Sequence, residues 1–119
     1  MRADKLTAEY TYDHDLDVVN IEINEKYNHE KTIELSFGIF LDFDENFLPV
    51  NLEILSASEI FGVEKERLHN PDGNVNIIVG HDIVEVEVTF QFSHENQSIH
   101  LNALNELKFP NSKTTFDLV

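Results

Sequence analysis

The chain has 119 residues, of which 23 are Asp or Glu and 8 are Lys or Arg, so its formal net charge is −15. Its length and its 41% apolar content fit one packed core, and we predict that residues 1–119 form a single domain. The absence of Cys excludes disulfides and thiol nucleophiles. The acidity disfavours binding to nucleic acids and to anionic membrane surfaces, since both carry negative charge.

The start of the chain predicts its compartment. Residues 1–6 lack the apolar core of a secretory signal peptide. The sequence also contains no apolar run long enough to span a bilayer. Together with the missing Cys, these features predict a soluble cytoplasmic protein.

Alternating apolar and polar residues predict β-strands at the beginning of the chain. The pattern indicates a short strand over residues 9–12 and another over residues 18–24. Residues 13–17 are predicted to form the turn between them, because Asp side chains can accept hydrogen bonds from nearby backbone amides. Residues 25–31 are polar and are predicted to form a loop.

A second pair of strands is predicted in the middle of the first half. One long strand over residues 34–43 is expected to point Phe37, Ile39 and Leu41 into the core. An acidic turn then reverses the chain into a strand over residues 50–55.

One short helix is predicted around residues 57–68. Ser56 and Glu59 have the spacing of a capping box, which predicts that the Ser56 side chain caps the helix. Gly62 weakens the interior of a helix, so the sequence leaves open whether the helix ends there or continues to Leu68.

The second half of the chain returns to the β pattern. Residues 70–73 have the composition of a turn, and a strand is predicted over residues 75–79. Residues 83–92 show the clearest alternation in the sequence, and this pattern predicts that Val86, Val88 and Phe90 are buried.

The end of the chain is more ambiguous. Residues 98–107 fit a strand slightly better than a helix. Phe116 and Leu118 indicate a last, short strand at an edge. The predicted fold class is therefore α+β, with a mostly antiparallel sheet or two packed sheets and one short helix.

The first and second halves share a weak sequence similarity. Val19, Asn20 and Ile21 recur as the triplet that begins at Val75. Alternating strands also resemble one another by chance, so the sequence leaves open whether residues 64–119 are a β-rich extension or a weak repeat of the first half.

Residues 9–63 contain three recognisable features: a Tyr-Asp pair before an acidic turn, a Gly before a strand with an acidic end, and a strand that ends in Glu-Ile-Leu-x-Ala. The residues concerned are Tyr12, Asp13, Asp17, Gly38, Leu41, Asp42, Asp44, Glu53, Ile54, Leu55 and Ala57. In these features the segment resembles a small prokaryotic family, the domain of unknown function 2283. The family hairpin usually has a Gly near the position of Phe47. The resemblance implies an α+β fold and no known chemistry, and the family's toxin-like gene neighbours imply an antitoxin-like role.

Two acidic segments have the composition of a cation site. Asp42, Asp44, Asn46 and Glu53 have the ligand spacing of an EF-hand loop, but Phe47 replaces the Gly that this loop needs and the flanks alternate as strands. The cluster at residues 13–17 could hold a hard cation, but it also fits a turn stabilised by Asp. We therefore expect no specific metal ligands.

The remaining chemistry-bearing residues form no recognisable motif. The six His residues are scattered next to turns or on a polar strand face, and they are predicted to be exposed. No phosphate-binding loop and no nucleophile with an identifiable base is present. We expect no catalytic residues and no cofactor.

These features favour a small, acidic, non-catalytic interaction module that binds a small basic protein, with an antitoxin-like role as its narrower form. The candidate interaction surface consists of acids on polar strand faces or at a hairpin tip, namely Glu22, Asp44, Glu53, Glu85 and Glu87. Two alternatives stay open. One is a structural homo-oligomer that pairs through its strands, and the other is a metal-binding or hydrolytic enzyme that uses the cluster at residues 13–17.

Overall fold

The computed structural model describes residues 2–119, and for residues 2 and 3 it describes only the backbone. This part of the chain is mostly β. Its strands are β1 (Arg2–Asp13), β2 (Val18–Ile23), β3 (His29–Ser36), β4 (Ile39–Asp44), β5 (Pro49–Ile54), β6 (Asp72–Val79), β7 (Ile83–Gln91), β8 (Asn96–Leu104) and β9 (Ser112–Leu118). One short α-helix, α1 (Ala57–Phe61), and a 3₁₀ turn (Lys65–Leu68) connect β5 to β6. The prediction of a mostly β chain with one short helix is confirmed, although the α-helix covers only the first part of the predicted range at residues 57–68.

All of these strands belong to one sheet, in the order β3-β4-β5-β2-β1-β9-β6-β7-β8. Most neighbours are antiparallel, as predicted, but β1 and β9 pair in parallel, so the sheet is mixed. The edge strands β3 and β8 lie beside each other with Cα atoms within 8 Å, although no ladder joins them. The sheet is therefore nearly closed.

Strand β9 corrects two predictions. Phe116 and Leu118 were expected on an edge strand, but β9 lies between β1 and β6 and bonds to both. The same pairing extends β1 back to Arg2, well before the predicted start at residue 9. Both differences arise because β1 and β9 satisfy each other's backbone hydrogen bonds. Such long-range pairing leaves no local signal in the sequence.

The core fills the interior of the curved sheet. Ile39, Leu41, Val86, Val88 and Phe90 are each at most 1% exposed, which confirms five of the six predicted core residues. The Phe90 ring stacks on Phe61 of α1 at 4.4 Å and meets Tyr10 of β1 edge-on at 5.6 Å. These aromatic contacts join the second half of the chain to the first.

Phe37 is the sixth predicted core residue, and that prediction is wrong because its side chain is 94% exposed. The predicted long strand is in fact the hairpin of β3 and β4, in which Ser36 pairs with Ile39. Gly38 has a φ of +78°, which only Gly adopts readily, and it allows the chain to reverse at this point. Phe37 therefore projects from the hairpin tip.

The loop predicted over residues 25–31 is shorter in the structure, because β3 begins within it. This strand begins at His29, which pairs with Asp44. The first residues of β3 are exposed because β3 is an edge strand. These residues are polar because the strand is exposed to solvent here, and not because the backbone is irregular.

Helix α1 is capped differently from the prediction. Ser56 has a φ of +52° and makes no side-chain capping hydrogen bond, so the predicted capping box is wrong. Asp17 of the β1–β2 turn caps the helix instead, because its carboxylate accepts a hydrogen bond from the Ser58 amide at 3.0 Å. Gly62 adopts a φ of +65° and ends the helix, which settles the question that the sequence left open.

Two further predictions concern the second half. The predicted turn at residues 70–73 is too long, because Asp72 and Gly73 already belong to β6. A Cβ atom on Gly73 would lie 2.2 Å from the Thr89 carbonyl oxygen of β7, so Gly is needed here for close strand approach. The preference for a strand at residues 98–107 is confirmed by β8, whose residues alternate in exposure.

No helix in the described part of the chain combines the length and the apolar character needed to cross a membrane.

Candidate interaction surface

The outer side of β1 to β5 forms an acidic face, on the opposite side of the strands from the core. Strand pairing aligns its residues in two neighbouring rows that cross the strands. The first row is Glu34, Phe40, Glu53, Asn20 and Thr11, and the second row is Thr32, Asp42, Asn51, Glu22 and Glu9. Half of these positions are carboxylates, and none is Lys or Arg.

Two of these carboxylates face each other directly. Glu9 of β1 and Glu22 of β2 are cross-strand partners in the antiparallel ladder. Like charges in this arrangement destabilise a sheet. A local arrangement that works against stability is typical of a functional site, and a cation bound between the two side chains would relieve the repulsion.

Neighbouring groups orient two of the acids in the second row. Glu22 accepts a hydrogen bond from the Tyr27 hydroxyl at 2.5 Å. Burial and this bond to Glu22 both raise the pKa of Tyr27, so the phenol stays a donor at neutral pH. Asp42 accepts bonds from Thr32 at 2.5 Å and from the Asn51 amide at 3.0 Å. These contacts hold both carboxylates in defined positions.

Glu53 differs from these acids because no hydrogen bond or ion pair involves its side chain within residues 4–119. It lies opposite Phe40 of β4, and Glu34 of β3 lies on the other side of Phe40. The first row therefore places an aromatic ring between two carboxylates.

An apolar cleft adjoins this end of the acidic face. It has a volume of about 320 Å³ and is lined mainly by Phe37, Phe40, Leu55 and Ile60. Phe37 is 94% exposed and Ile60 is 36% exposed, so the cleft is open to solvent. We call this feature the Phe37 cleft.

Asp44 was predicted to belong to the interaction surface, and the structure places it at the tip of the β4–β5 hairpin. Its carboxylate accepts hydrogen bonds from the backbone amides of Asn46 at 2.8 Å and Leu48 at 3.0 Å. Phe47 in this turn has a φ of +63°, the conformation that favours Gly. Asp44 therefore stabilises the turn.

Glu85 and Glu87 lie on a different part of the surface. Both belong to β7, which is separated from β2 by β1, β9 and β6 in the sheet. Glu87 lies 3.1 Å from the imidazole of His100, and both Glu residues line a shallow concavity with polar neighbours such as Asn102. Of the five predicted residues, the structure thus brings together only Glu22 and Glu53 on the acidic face, with Glu85 and Glu87 as a separate pair.

Among the described side chains, Lys and Arg form no ion pair with the two acidic rows, although Lys26 lines a concavity together with Glu9 and Glu22. In the part of the chain whose side chains are described, the Lys and Arg ion pairs are Lys5 with Asp117, Arg67 with Glu95, and Lys108 with Asp82. None of these pairs includes a residue of the two acidic rows. Lys and Arg salt bridges therefore do not neutralise this surface, although the His29 imidazole lies 3.6 Å from the Asp42 carboxylate.

The cluster at residues 13–17 is occupied by structural contacts. Asp13 accepts a hydrogen bond from the Leu16 amide, and Asp17 accepts bonds from the hydroxyls of Tyr12 and Ser58. Partial burial works to raise the pKa of Asp17, but the bonds from Tyr12 and Ser58 outweigh it and lower that pKa. Asp13 and Asp17 thus build the turn and the start of α1.

The histidines are all exposed, as predicted. Two of them, His14 and His69, are 55 residues apart in sequence, yet their ring nitrogens lie 3.0 Å apart. Within the described side chains, no group of three or more His, Asp or Glu residues is arranged to hold a metal ion.

Sequence reasoning missed several residues of this surface. Glu9 and Glu34 were not selected, although a hairpin register counted outward from the turn at residues 13–17 would have placed Glu9 opposite Glu22. Phe37 was assigned to the core, so its cleft was not foreseen. The signal for it was Gly38, because an isolated Gly within a strand pattern indicates an irregularity in that strand.

Comparisons with known proteins give one result. Searches of curated proteins and of solved structures found no match to this chain. A family model does match part of the chain, namely residues 9–58, which contain most of the acidic face. These residues match the model described as protein of unknown function (DUF2283), which confirms the resemblance seen in the sequence.

Proposed function

We propose that the protein is a non-catalytic interaction module that binds a basic protein partner through its acidic face. The observation that carries this proposal is the composition of the two rows across β1 to β5. Half of their positions are carboxylates, none is Lys or Arg, and Glu9 lies directly opposite Glu22.

The arrangement suits recognition of Lys and Arg side chains. Carboxylates on paired strands are held at fixed spacings, so a partner loses little free energy in ordering them. A cation between Glu9 and Glu22 gains attraction and removes their mutual repulsion. The net charge of −15 also steers basic molecules toward the protein over longer distances.

Two alternative functions have weaker support. Strand-paired homo-oligomerisation needs an accessible sheet edge, and here the edges β3 and β8 lie beside each other. A metal-dependent or hydrolytic enzyme would use the acids at residues 13–17, and Asp13 and Asp17 already bond to the turn and to α1. An antitoxin-like role is the narrower form of our proposal, in which the basic partner is a small toxin.

Affinity capture from a native extract tests the proposal. The wild-type protein and a double variant, Glu22→Lys with Glu53→Lys, serve as baits at low and moderate salt. We expect the wild type to retain a basic protein at low salt, and we expect the variant to lose it. A partner that is retained equally by both baits, or a partner that is itself acidic, would contradict the proposal.

A further inference from the structure

The Phe37 cleft is an exposed apolar feature next to the acidic face. Phe37 is 94% exposed at the tip of the β3–β4 hairpin. A single exposed apolar side chain is common, but a contiguous exposed apolar patch is typical of an interaction site. Leu55 and Ile60 extend the apolar surface from the hairpin to α1. The volume of about 320 Å³ is sufficient for one large apolar side chain.

The position of this cleft is fixed by the backbone. The Leu55 amide donates a hydrogen bond to the Gly38 carbonyl at 2.8 Å, which ties the hairpin tip to the end of β5. The Gly38 amide donates to the Glu34 carboxylate at 3.3 Å. The cleft is therefore formed before any ligand binds, and binding would not require the chain to order it.

The rim of the cleft is acidic. Glu34 and Glu59 line it, and Glu53 lies opposite Phe40 across β4 and β5. No Lys or Arg is among the residues that line it. An occupant of matching chemistry thus combines an apolar side chain with positive charges around it.

We infer that the Phe37 cleft binds an apolar anchor residue of the basic partner, while the flanking Lys or Arg residues of that partner contact Glu34, Glu53 and Glu59. This inference rests on the proposed function and adds a specific anchor to it. A second copy of this chain is the less suitable occupant, because each copy carries a net charge of −15 and the two rims would repel each other.

Two synthetic peptides of equal length and charge test the inference with the full chain. In one, lysines flank two adjacent leucines, and in the other, serines replace the leucines. Fluorescence anisotropy is expected to show that the wild type binds the leucine peptide at least about tenfold tighter, since apolar burial of one side chain supplies that difference.

The variants locate the anchor. Phe37→Ser should bind both peptides with the affinity that the wild type has for the serine peptide. Leu104→Ser is the matched control, because Leu104 is 65% exposed and lies outside the Phe37 cleft. It should retain the preference for the leucine peptide, and circular dichroism should show that both variants are folded.

The possible results separate the two proposals. If the wild type binds both peptides equally, the cleft is no anchor site, while charge-driven binding stands. If neither peptide binds, both the anchor and the proposed function are rejected. If Phe37→Ser converts a dimer into a monomer in light scattering, the occupant is a second copy and the inference is wrong.

Discussion

Asp17 anchors the start of helix α1 to the β1–β2 turn through Ser58, 41 residues further along the chain. Its carboxylate accepts hydrogen bonds from the Ser58 amide at 3.0 Å and from the Ser58 hydroxyl at 2.7 Å. The Asp17 carbonyl also accepts a bond from the Ala57 amide at 3.0 Å. One residue of a turn therefore replaces the local cap that a short helix would otherwise need.

We expect Asp17→Ala to lower the free energy of unfolding by about 1–2 kcal/mol, since loss of a capping carboxylate typically has this effect. Asp17 has a φ of +56°, which Asn tolerates better than Ala. Asp17→Asn is thus the control and should lose less, because it keeps an acceptor oxygen. Urea denaturation measures both variants, and equal losses would show that neither the acceptor oxygen nor backbone strain is the cause, but the negative charge that both variants lack.

Because of the Asp17 carboxylate, we expect the stability of the protein to depend on pH. The pKa of Asp17 is lowered in the folded state, where the hydrogen bonds from Tyr12 and Ser58 outweigh the opposing effect of burial. A lowered pKa means that the charged form stabilises the fold at pH values above the unfolded pKa, about 3.9. This contribution is lost as the pH falls through the lower, folded pKa.

Accordingly, the difference in urea midpoint between the wild type and Asp17→Asn should be largest near pH 7 and should shrink below about pH 4. Tyr12 stays protonated throughout, because burial and its bond to Asp17 raise its pKa. A difference that stays constant down to pH 2 would mean that the charge of Asp17 contributes nothing.

Phe90 should be among the residues that are most costly to truncate. Its ring is fully buried between Phe61 and Tyr10, so Phe90→Ala leaves a cavity in the contact between the two halves of the chain. We expect a loss of about 3–5 kcal/mol. Phe37→Ala is the matched control and should change stability by less than about 0.5 kcal/mol, since this ring is exposed. Thermal melts of both variants test this, and a small shift for Phe90→Ala would place its ring outside the core.

The contrast between these two Phe residues shows what the sequence could reveal. Alternation alone identified the buried side of β7, because Val86, Val88 and Phe90 lie on one uninterrupted strand. The same rule failed at Phe37, because a two-residue turn leaves the spacing of apolar residues unchanged while it reverses the chain. The turn at Gly38, whose φ is +78°, is what separates the two cases.

The acidic face shows a second kind of limit. The individual acids Glu22 and Glu53 were predictable from strand alternation. Their neighbours depend on register, and a bulge between Asp42 and Phe43 shifts the β4–β5 pairing that places Phe40 opposite Glu53. The insertion of β9 beside β1 depends on contacts between the two ends of the chain, which no local pattern encodes.

We expect no specific divalent metal site at the hairpin that has EF-hand spacing. Asp44 bonds to the turn amides, and Asp42 bonds to Thr32 and Asn51, so their oxygens are not directed at one point. Calorimetric titration with calcium, magnesium, manganese and zinc should give only weak heats. A stoichiometric site tighter than about 10⁻⁵ M, the range of sensor-type calcium sites, would contradict this, and Asp44→Asn would then show whether the hairpin supplies it.

The last prediction separates general electrostatic steering from binding at the acidic face. Glu22→Lys with Glu53→Lys changes the same number of charges as Glu85→Lys with Glu87→Lys, but the two pairs lie on different parts of the sheet. Both pairs should slow association with a basic partner, because both weaken the attractive field. This steering should also weaken as salt rises from about 0.1 to 0.5 M, where the screening length falls below 10 Å.

Dissociation should distinguish the two pairs. Reversal at Glu85 and Glu87 should leave the dissociation rate nearly unchanged, since charges outside a contact act mainly on association. Reversal at Glu22 and Glu53 should also speed dissociation, because it places like charges within the contact. Stopped-flow or surface-based kinetics with the captured partner can measure both rates. If the Glu85 and Glu87 variant dissociates faster than the Glu22 and Glu53 variant, the partner binds the β7 surface, and the acidic face serves only to attract it.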